Sequence, residues 1–227
     1  AFYYRLSHRS QNLFLLGASY FFYGWWDWRF LGLLLLSTVV DYFSASIIHR
    51  SRNLNIRKFG LWASLFVNLG ILCSFKYFNF FIDSFSLFTE AIGLPFQSGL
   101  TLNIILPMGI SFYTFQTMAY TIDVYRKEIK PCNGFIDFAL YVTYFPQLVA
   151  GPIERAARLI PQIQKPRFIN VDNIRTGVSL ILTGGFKKIV IGDTIASPYA
   201  DMAFNNPTAQ SGPFLVLGLC MFSLQIY

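Results

Sequence analysis

"YFPQLVAGPIERAARLIPQ", Tyr144 to Gln162, changes character within a few residues. An apolar run reaches Ala150, Gly151-Pro152 breaks it, and Glu154, Arg155 and Arg158 follow at once. Where the chain goes at that break decides the fold. The stretch is the end of a membrane span, a surface loop, or a segment that enters the protein and turns back.

The rest of the chain favours a membrane setting. Hydrophobic residues make up 54% of the 227 and charged residues 13%, against a charged share of about 25% in soluble domains. The many aromatics, 25 Phe, 13 Tyr and 4 Trp, suit a lipid–water boundary, where a ring sits half wet and half apolar. A soluble protein with such a surface would aggregate. The net charge of +7 does not point to nucleic acid, because the basic residues lie between apolar runs and form no continuous face. Retention of Lys and Arg on the cytoplasmic side of a bilayer accounts for them. Cys73, Cys132 and Cys220 are too scattered for a disulfide framework or a metal site. Each reads as a free thiol, Cys132 in its polar segment being the one open to acylation.

A helical span takes about 20 mostly apolar residues. Leu13 to Trp26 and Phe30 to Ile48 read as the first two spans, parted by a polar break at Asp27 to Arg29 among tryptophans. Asp41 lies inside the second, where an ionisable group is expensive. It sits near the span's end, pairs within the bundle, or serves an active site; pairing or a span end is the simpler reading. Phe59 to Phe75 reads as a third span continuing past Lys76 to Ile82, followed by an acidic loop from Asp83 to Leu100 and a fourth span from Thr101 to Val124. Basic segments at 49–58 and 126–130, with Arg5 and Arg9, fall on the cytoplasmic side, which puts the 83–100 loop outside.

The alternation then fails. Phe135 to Ala150 is short for a span, yet residues 151–193 carry seven basic residues against three acids and also read as cytoplasmic. One full span cannot join two flanks on the same side. The apolar stretch therefore enters and returns, or lies along the interface, with Gly151-Pro152 as the turn. Non-helical backbone at that depth is tolerated only when buried in protein or lining a wet cavity. Val178 to Ile191 fits a helix at the cytoplasmic interface, with Gly184-Gly185 as a loop and Lys187 and Lys188 reaching headgroups. Phe214 starts another span. The expectation is an all-α, multi-span integral membrane protein with a re-entrant loop, residues 1–227 forming one membrane domain. A start at Ala1 and an uncharged run from Met202 to Tyr227 lead us to expect a piece of a longer protein, incomplete at both ends.

Motifs for nucleotide, metal or serine chemistry are missing: no Walker loop, GxGxxG, HExxH or GxSxG occurs. His8 and His49, the only histidines, read as headgroup-level residues. From its own residues the chain shows no complete catalytic set. Tyr113 and Gln116, three apart in the fourth span, share a face and serve either a polar tunnel or interhelix hydrogen bonds.

"LPMGISFYTFQTMAYTIDVYR" (Leu106 to Arg126) followed by "DFALYVTYFPQLVAGPIERAARLIPQI" (Asp137 to Ile163) resembles the membrane-bound O-acyltransferases (MBOAT), and most of all their bacterial branch that O-acetylates alginate. "YFFYGWWDW", "LLLLSTVVDYF", "GGFKKIVIGDTIA" and "FSLQIY" fall in matching order, so the resemblance covers nearly the whole chain. It implies a ring of membrane helices around a tunnel in a bacterial inner membrane. It implies acetyl transfer from acetyl-CoA or a carrier thioester, on the cytoplasmic side, toward hydroxyls of an extracytoplasmic polysaccharide such as alginate or a cell-wall glycan, with periplasmic partner proteins and no nucleic acid. It puts Gln147, Pro152 and Arg155 at or near the tunnel. Arg155 then binds donor phosphates, for which a guanidinium fork is suited, or meets headgroups or a nearby acid. The family's catalytic histidine follows a Trp; no Trp-His pair occurs here, so that residue is expected beyond Tyr227 and neither His8 nor His49 takes the role. From the residues alone, a membrane transporter or lipid flippase without acyl transfer remains the alternative.

Overall fold

A computed structural model describes residues 3–93, 106–148 and 153–226. Among these residues all regular structure is helical. The chain forms two compact units, Ala1–Arg167 and Phe168–Tyr227.

In the first unit, α1 (His8–Asp27) starts at Ser7, whose hydroxyl accepts from the Ser10 amide. It ends in a single tight turn, Trp28–Phe30, where the Asp27 carboxylate holds both the Arg29 amide and its guanidinium. The expected polar break is therefore a capped corner. Helix α2 (Leu31–Arg50) follows, then α3 (Leu54–Leu72), capped by Asn53. A π-helical turn, Cys73–Tyr77, joins α3 to α4 (Phe78–Ala91). The runs His8–Arg50 and Leu54–Ala91 are long and apolar enough to cross a membrane.

The loop expected from Asp83 does not begin there. Helix α4 carries on to Ala91, because no breaker intervenes before Gly93 at φ +77° and the residues between favour a helix. The remainder of that loop, and the start of the expected fourth span, lie outside the described residues. Helix α5 (Ile110–Tyr125) is entered through Gly109 at φ +72°.

Helices α6 (Phe135–Thr143), α7 (Phe145–Leu148) and α8 (Ala156–Ile163) are short. At about 1.5 Å per residue, α6 reaches less than half of a hydrocarbon core of roughly 30 Å. Pro146 explains the break at Tyr144: it brings no N–H and its ring clashes with the carbonyl four residues back.

The unit buries a row of polar residues beside its hydrophobic core and turns many large apolar side chains outward. Helix α2 buries Ser37, Thr38, Asp41 and Ser44 while Leu36, Phe43 and Ile47 face out. Helix α3 buries Gly60, Ser64, Asn68 and Leu72, one row at every fourth residue, and turns Trp62 and Phe66 (79% exposed) outward. Small residues in such a row let helices approach closely. A Cβ on Gly60 would lie 3.0 Å from Ile48 Cγ1 and 3.3 Å from the Ser44 carbonyl.

The second unit contains α9 (Val171–Phe186), a π-helical run Lys187–Ala196, α10 (Ser197–Asn205) and α11 (Gly212–Ile226). Gly184-Gly185 forms no loop; both residues lie inside α9, and the helix continues through the lysines. Its described buried residues are all small: Gly192, Ala196, Ala200, Ala203 and Gly218. A Cβ on Gly218 would fall 2.2 Å from that of Ala203, so α10 and α11 meet where only glycine fits.

Candidate functional site

Three buried polar groupings occur in the first unit, and they differ in how fully they are paired. The first surrounds Asp41, which is 0% exposed. Its carboxylate accepts from Ser64 and, at 3.0 Å, from Thr121 on one oxygen, and from Asn68 Nδ2 at 2.8 Å on the other, with the Ser37 oxygen 3.5 Å away. Asn68 Oδ1 in turn accepts from Ser37 at 2.6 Å and Thr117 at 3.4 Å. The network ties α2, α3 and α5 and contains no cation. Asp41 thus pairs within the bundle at mid-helix.

The second joins α1 to the region around α6 and α8. Arg167 Nη1 donates to Asn12 Oδ1 at 2.7 Å, and Asn12 Nδ2 donates to Asp137 Oδ1 at 2.8 Å and to the Ile163 carbonyl at 3.2 Å. The neutral amide thereby links a cation to a carboxylate. His8 sits beside it, Nε2 3.5 Å from Asn12 Nδ2, with its Nδ1 buried and unpaired.

The third is built on Tyr141. The break after α6 frees the Tyr141 carbonyl, since the Phe145 amide that would have served it donates to Ser19 Oγ instead. Gln116 of α5 and Gln147 of α7 both donate to that carbonyl, at 3.0 and 2.9 Å. The Tyr141 hydroxyl donates to the Glu154 carbonyl at 3.4 Å. Residues on both sides of Gly151-Pro152 therefore contact one tyrosine. On the near side the Leu148 carbonyl abuts Gly109, where a Cβ would lie 2.6 Å away.

Three side-chain oxygens in the first half of α5, one of them in this grouping, are buried and unpaired. Gln116 Oε1 and the Thr114 hydroxyl are buried with no hydrogen-bond partner. The Tyr113 hydroxyl lies beside that of Tyr23 without closing a hydrogen bond, while Tyr23 itself donates to the Met108 carbonyl at 3.0 Å. A buried polar atom left unpaired costs about 1–3 kcal/mol, and such atoms collect where a ligand is to be met.

Of the residues singled out in the sequence, Gln116 and Gln147 are thus brought together on the Tyr141 carbonyl, whereas Tyr113 lies beside Tyr23. Pro152 lies outside the described residues, as does Gly151. Arg155 stands apart: it is exposed at the start of α8, with its charge acting on Asp123. The sequence reading missed Asn68, Ser64, Thr117 and Thr121 as partners of Asp41, and Tyr141 and Gly109 as the frame of the third grouping. The four-residue row in α3 was a usable signal for the first set. No group of His, Cys, Asp and Glu fit for a metal occurs among the described residues.

Comparison with known proteins gives a consistent result. The chain is 36% identical over 230 residues to a probable alginate O-acetylase of Azotobacter vinelandii, covering 99% of this chain and 44% of that protein. It is 38% identical over 229 residues to a probable alginate O-acetylase of Pseudomonas aeruginosa, covering 99% and 42%. It is 33% identical over 242 residues to the peptidoglycan O-acetyltransferase of Helicobacter pylori, covering 95% and 45%. No family model matches the chain, and no solved structure does. The chain spans less than half the length of the curated relatives it matches. The resemblance read from the sequence holds along it: the chain is homologous to bacterial O-acetylases of alginate and peptidoglycan.

Proposed function

We propose that this chain is the membrane-embedded part of an O-acetyltransferase that moves acetyl groups from a cytoplasmic thioester to hydroxyls of an extracytoplasmic polysaccharide. The observation that carries this is the homology over 95–99% of the chain to proteins described as O-acetylases. The two long apolar helical runs and the many large apolar side chains facing outward support a multi-pass bacterial inner-membrane setting. The transporter or flippase reading has no comparable support.

Acetyl transfer requires a base to take the hydroxyl proton as the new C–O bond forms, and a donor to hold the oxyanion until the C–S bond breaks. We assign the base to no residue of this chain. His8 belongs to the Asn12 grouping and His49 to a basic cavity, so neither lies in the third grouping. That grouping is the part of the tunnel wall we assign to this chain. Gln116 and Gln147 each spend one N–H on the Tyr141 carbonyl and retain a second. The two limbs that meet on Tyr141 support a turn back at Gly151-Pro152, with α6 too short to span. Arg155 is then the candidate for phosphates of acetyl-CoA or a carrier-bound donor, and periplasmic proteins complete the transfer to the glycan.

Deletion of the gene tests the reading. Alkali-labile acetate on the envelope polysaccharides should fall and return on complementation. Unchanged acetate would contradict it. For the donor role, Arg155→Ala in the complete enzyme should raise the donor KM about ten-fold or more, the loss of one charge-assisted contact. Arg158→Ala should not, and equal effects would remove Arg155 from the donor path.

A further inference from the structure

The basic segments 49–58 and 126–130, which served only to set topology, converge in space. Arg52, Arg57, Lys127 and Lys130, with His49 and Ser51, line one cavity of about 440 Å³ between the α2–α3 connection and the end of α5. No carboxylate is among its described lining residues. The nearest acid in sequence, Glu128, is engaged by Arg126 Nε at 3.1 Å. Four cations drawn together without a counter-ion repel one another, so an anion is called for.

Two details show that the cavity is held ready. Arg57 is fixed by its bond to the Tyr125 carbonyl and by its stacking on the Tyr125 ring, 5.1 Å from the centroid, yet its Nε is buried and unpaired. Lys127 is the one non-glycine among the described residues at positive φ, +65°. Helix α5 ends in a Schellman motif: the Glu128 amide donates to the Asp123 carbonyl at 2.9 Å and the Lys127 amide to that of Val124 at 3.1 Å. Glycine is the usual residue at the left-handed position of that motif. A lysine there is strained, and strain of this kind points to a use for the side chain.

The cavity also has an apolar neighbour. A crevice of about 350 Å³, lined by Phe43, Ile47, Ile56 and Arg50, shares Ser51 with it. An anion carrying a hydrocarbon tail would fill both.

We propose that this pair of cavities binds a phosphate ester, the phosphate in the basic cavity and an acyl chain in the crevice, with an anionic phospholipid as its source. The site is independent of the acetyl-transfer reading. The test uses the protein in neutral detergent, titrated separately with dioctanoyl phosphatidylglycerol, dioctanoyl phosphatidylcholine and inorganic phosphate, with Tm as the readout. Phosphatidylglycerol should raise Tm saturably, and the other two should not match it at equal concentration. Lys127→Gly should raise the ligand-free Tm by relieving the backbone, while weakening the apparent affinity for phosphatidylglycerol about ten-fold. Arg52→Ala, at an exposed position, should weaken the affinity without that gain. An equal response to phosphatidylcholine, or wild-type affinity in Lys127→Gly, would overturn the site. A full response to phosphate alone would overturn the lipid as its source.

Discussion

Helix α5 carries two sets of polar side chains into the protein, and they are treated differently. Thr117 and Thr121 enter the Asp41 network, where both oxygens of the carboxylate are met by donors. Tyr113, Thr114 and Gln116 precede Thr117 by one to four residues, and each keeps a side-chain oxygen without a partner. In hydrocarbon surroundings an unmet polar atom has no water to turn to. The paired set therefore reads as structure, and the unpaired set as a place for something else to bind. Burial alone would not have separated them, since both are inaccessible.

The contrast can be broken in several places. The largest effect is expected for Asp41→Ala, which strands donors from Ser64, Asn68 and Thr121 at once and should cost on the order of 3 kcal/mol or more. Thermal unfolding in detergent reads it. A variant as stable as the wild type would show that the network is not structural. Next comes Gly109→Ala, which puts a Cβ against the Leu148 carbonyl and a side chain at φ +72°. Backbone strain of that kind costs about 1–3 kcal/mol, and the shift in Leu148 should also disturb Gln147, so transfer by the complete enzyme should fall along with stability. Intact transfer would separate Gly109 from the site.

A smaller effect is expected at Cys132, between α5 and α6. Burial pushes its thiol up to about 11, offset only in part by a backbone hydrogen bond at Gly134 and by the Gln164 amide that donates to its sulfur. At neutral pH it holds almost no thiolate, so a thiol reagent should modify it only slowly. Labelling of Cys132 should rise only toward alkaline pH. Rapid labelling of Cys132 at pH 7.5 would show that the α5–α6 connection opens in solution.

The helices of the first unit were legible because they are long and apolar and because Asp27 marks the corner, but α1 and α3 begin at His8 and Leu54, five residues ahead of the expected Leu13 and Phe59, since their first turns carry polar residues. The extent of α4 was not, since Asp83 and Glu90 suggested a loop and only the lack of a breaker before Gly93 argued otherwise. Gly184-Gly185 misled for the opposite reason. Glycine costs a helix roughly 1 kcal/mol, and that is too little to stop one with apolar residues on both sides. Within the site, Gln116 and Gln147 could be picked out as polar residues in apolar runs. Their meeting point could not, because the Tyr141 carbonyl is a backbone atom freed by a break two residues on. The Asp41 partners are Ser, Thr and Asn, residues common in membrane helices, and only the four-residue row in α3 set them apart.

The most direct test pairs two near-isosteric substitutions, one on each side of the contrast. Asn68→Leu removes a donor and an acceptor from the Asp41 network, and Gln116→Met removes the amide from the Tyr141 grouping while Gln147 still serves the carbonyl. Unfolding stability and acetyl transfer per folded molecule are measured for both in the complete enzyme. The account predicts that Asn68→Leu loses stability but keeps its transfer rate, whereas Gln116→Met loses about 1 kcal/mol or less of stability and at least ten-fold in transfer, roughly one charge-stabilising contact. Wild-type transfer in Gln116→Met, with the loss appearing in Asn68→Leu instead, would contradict it.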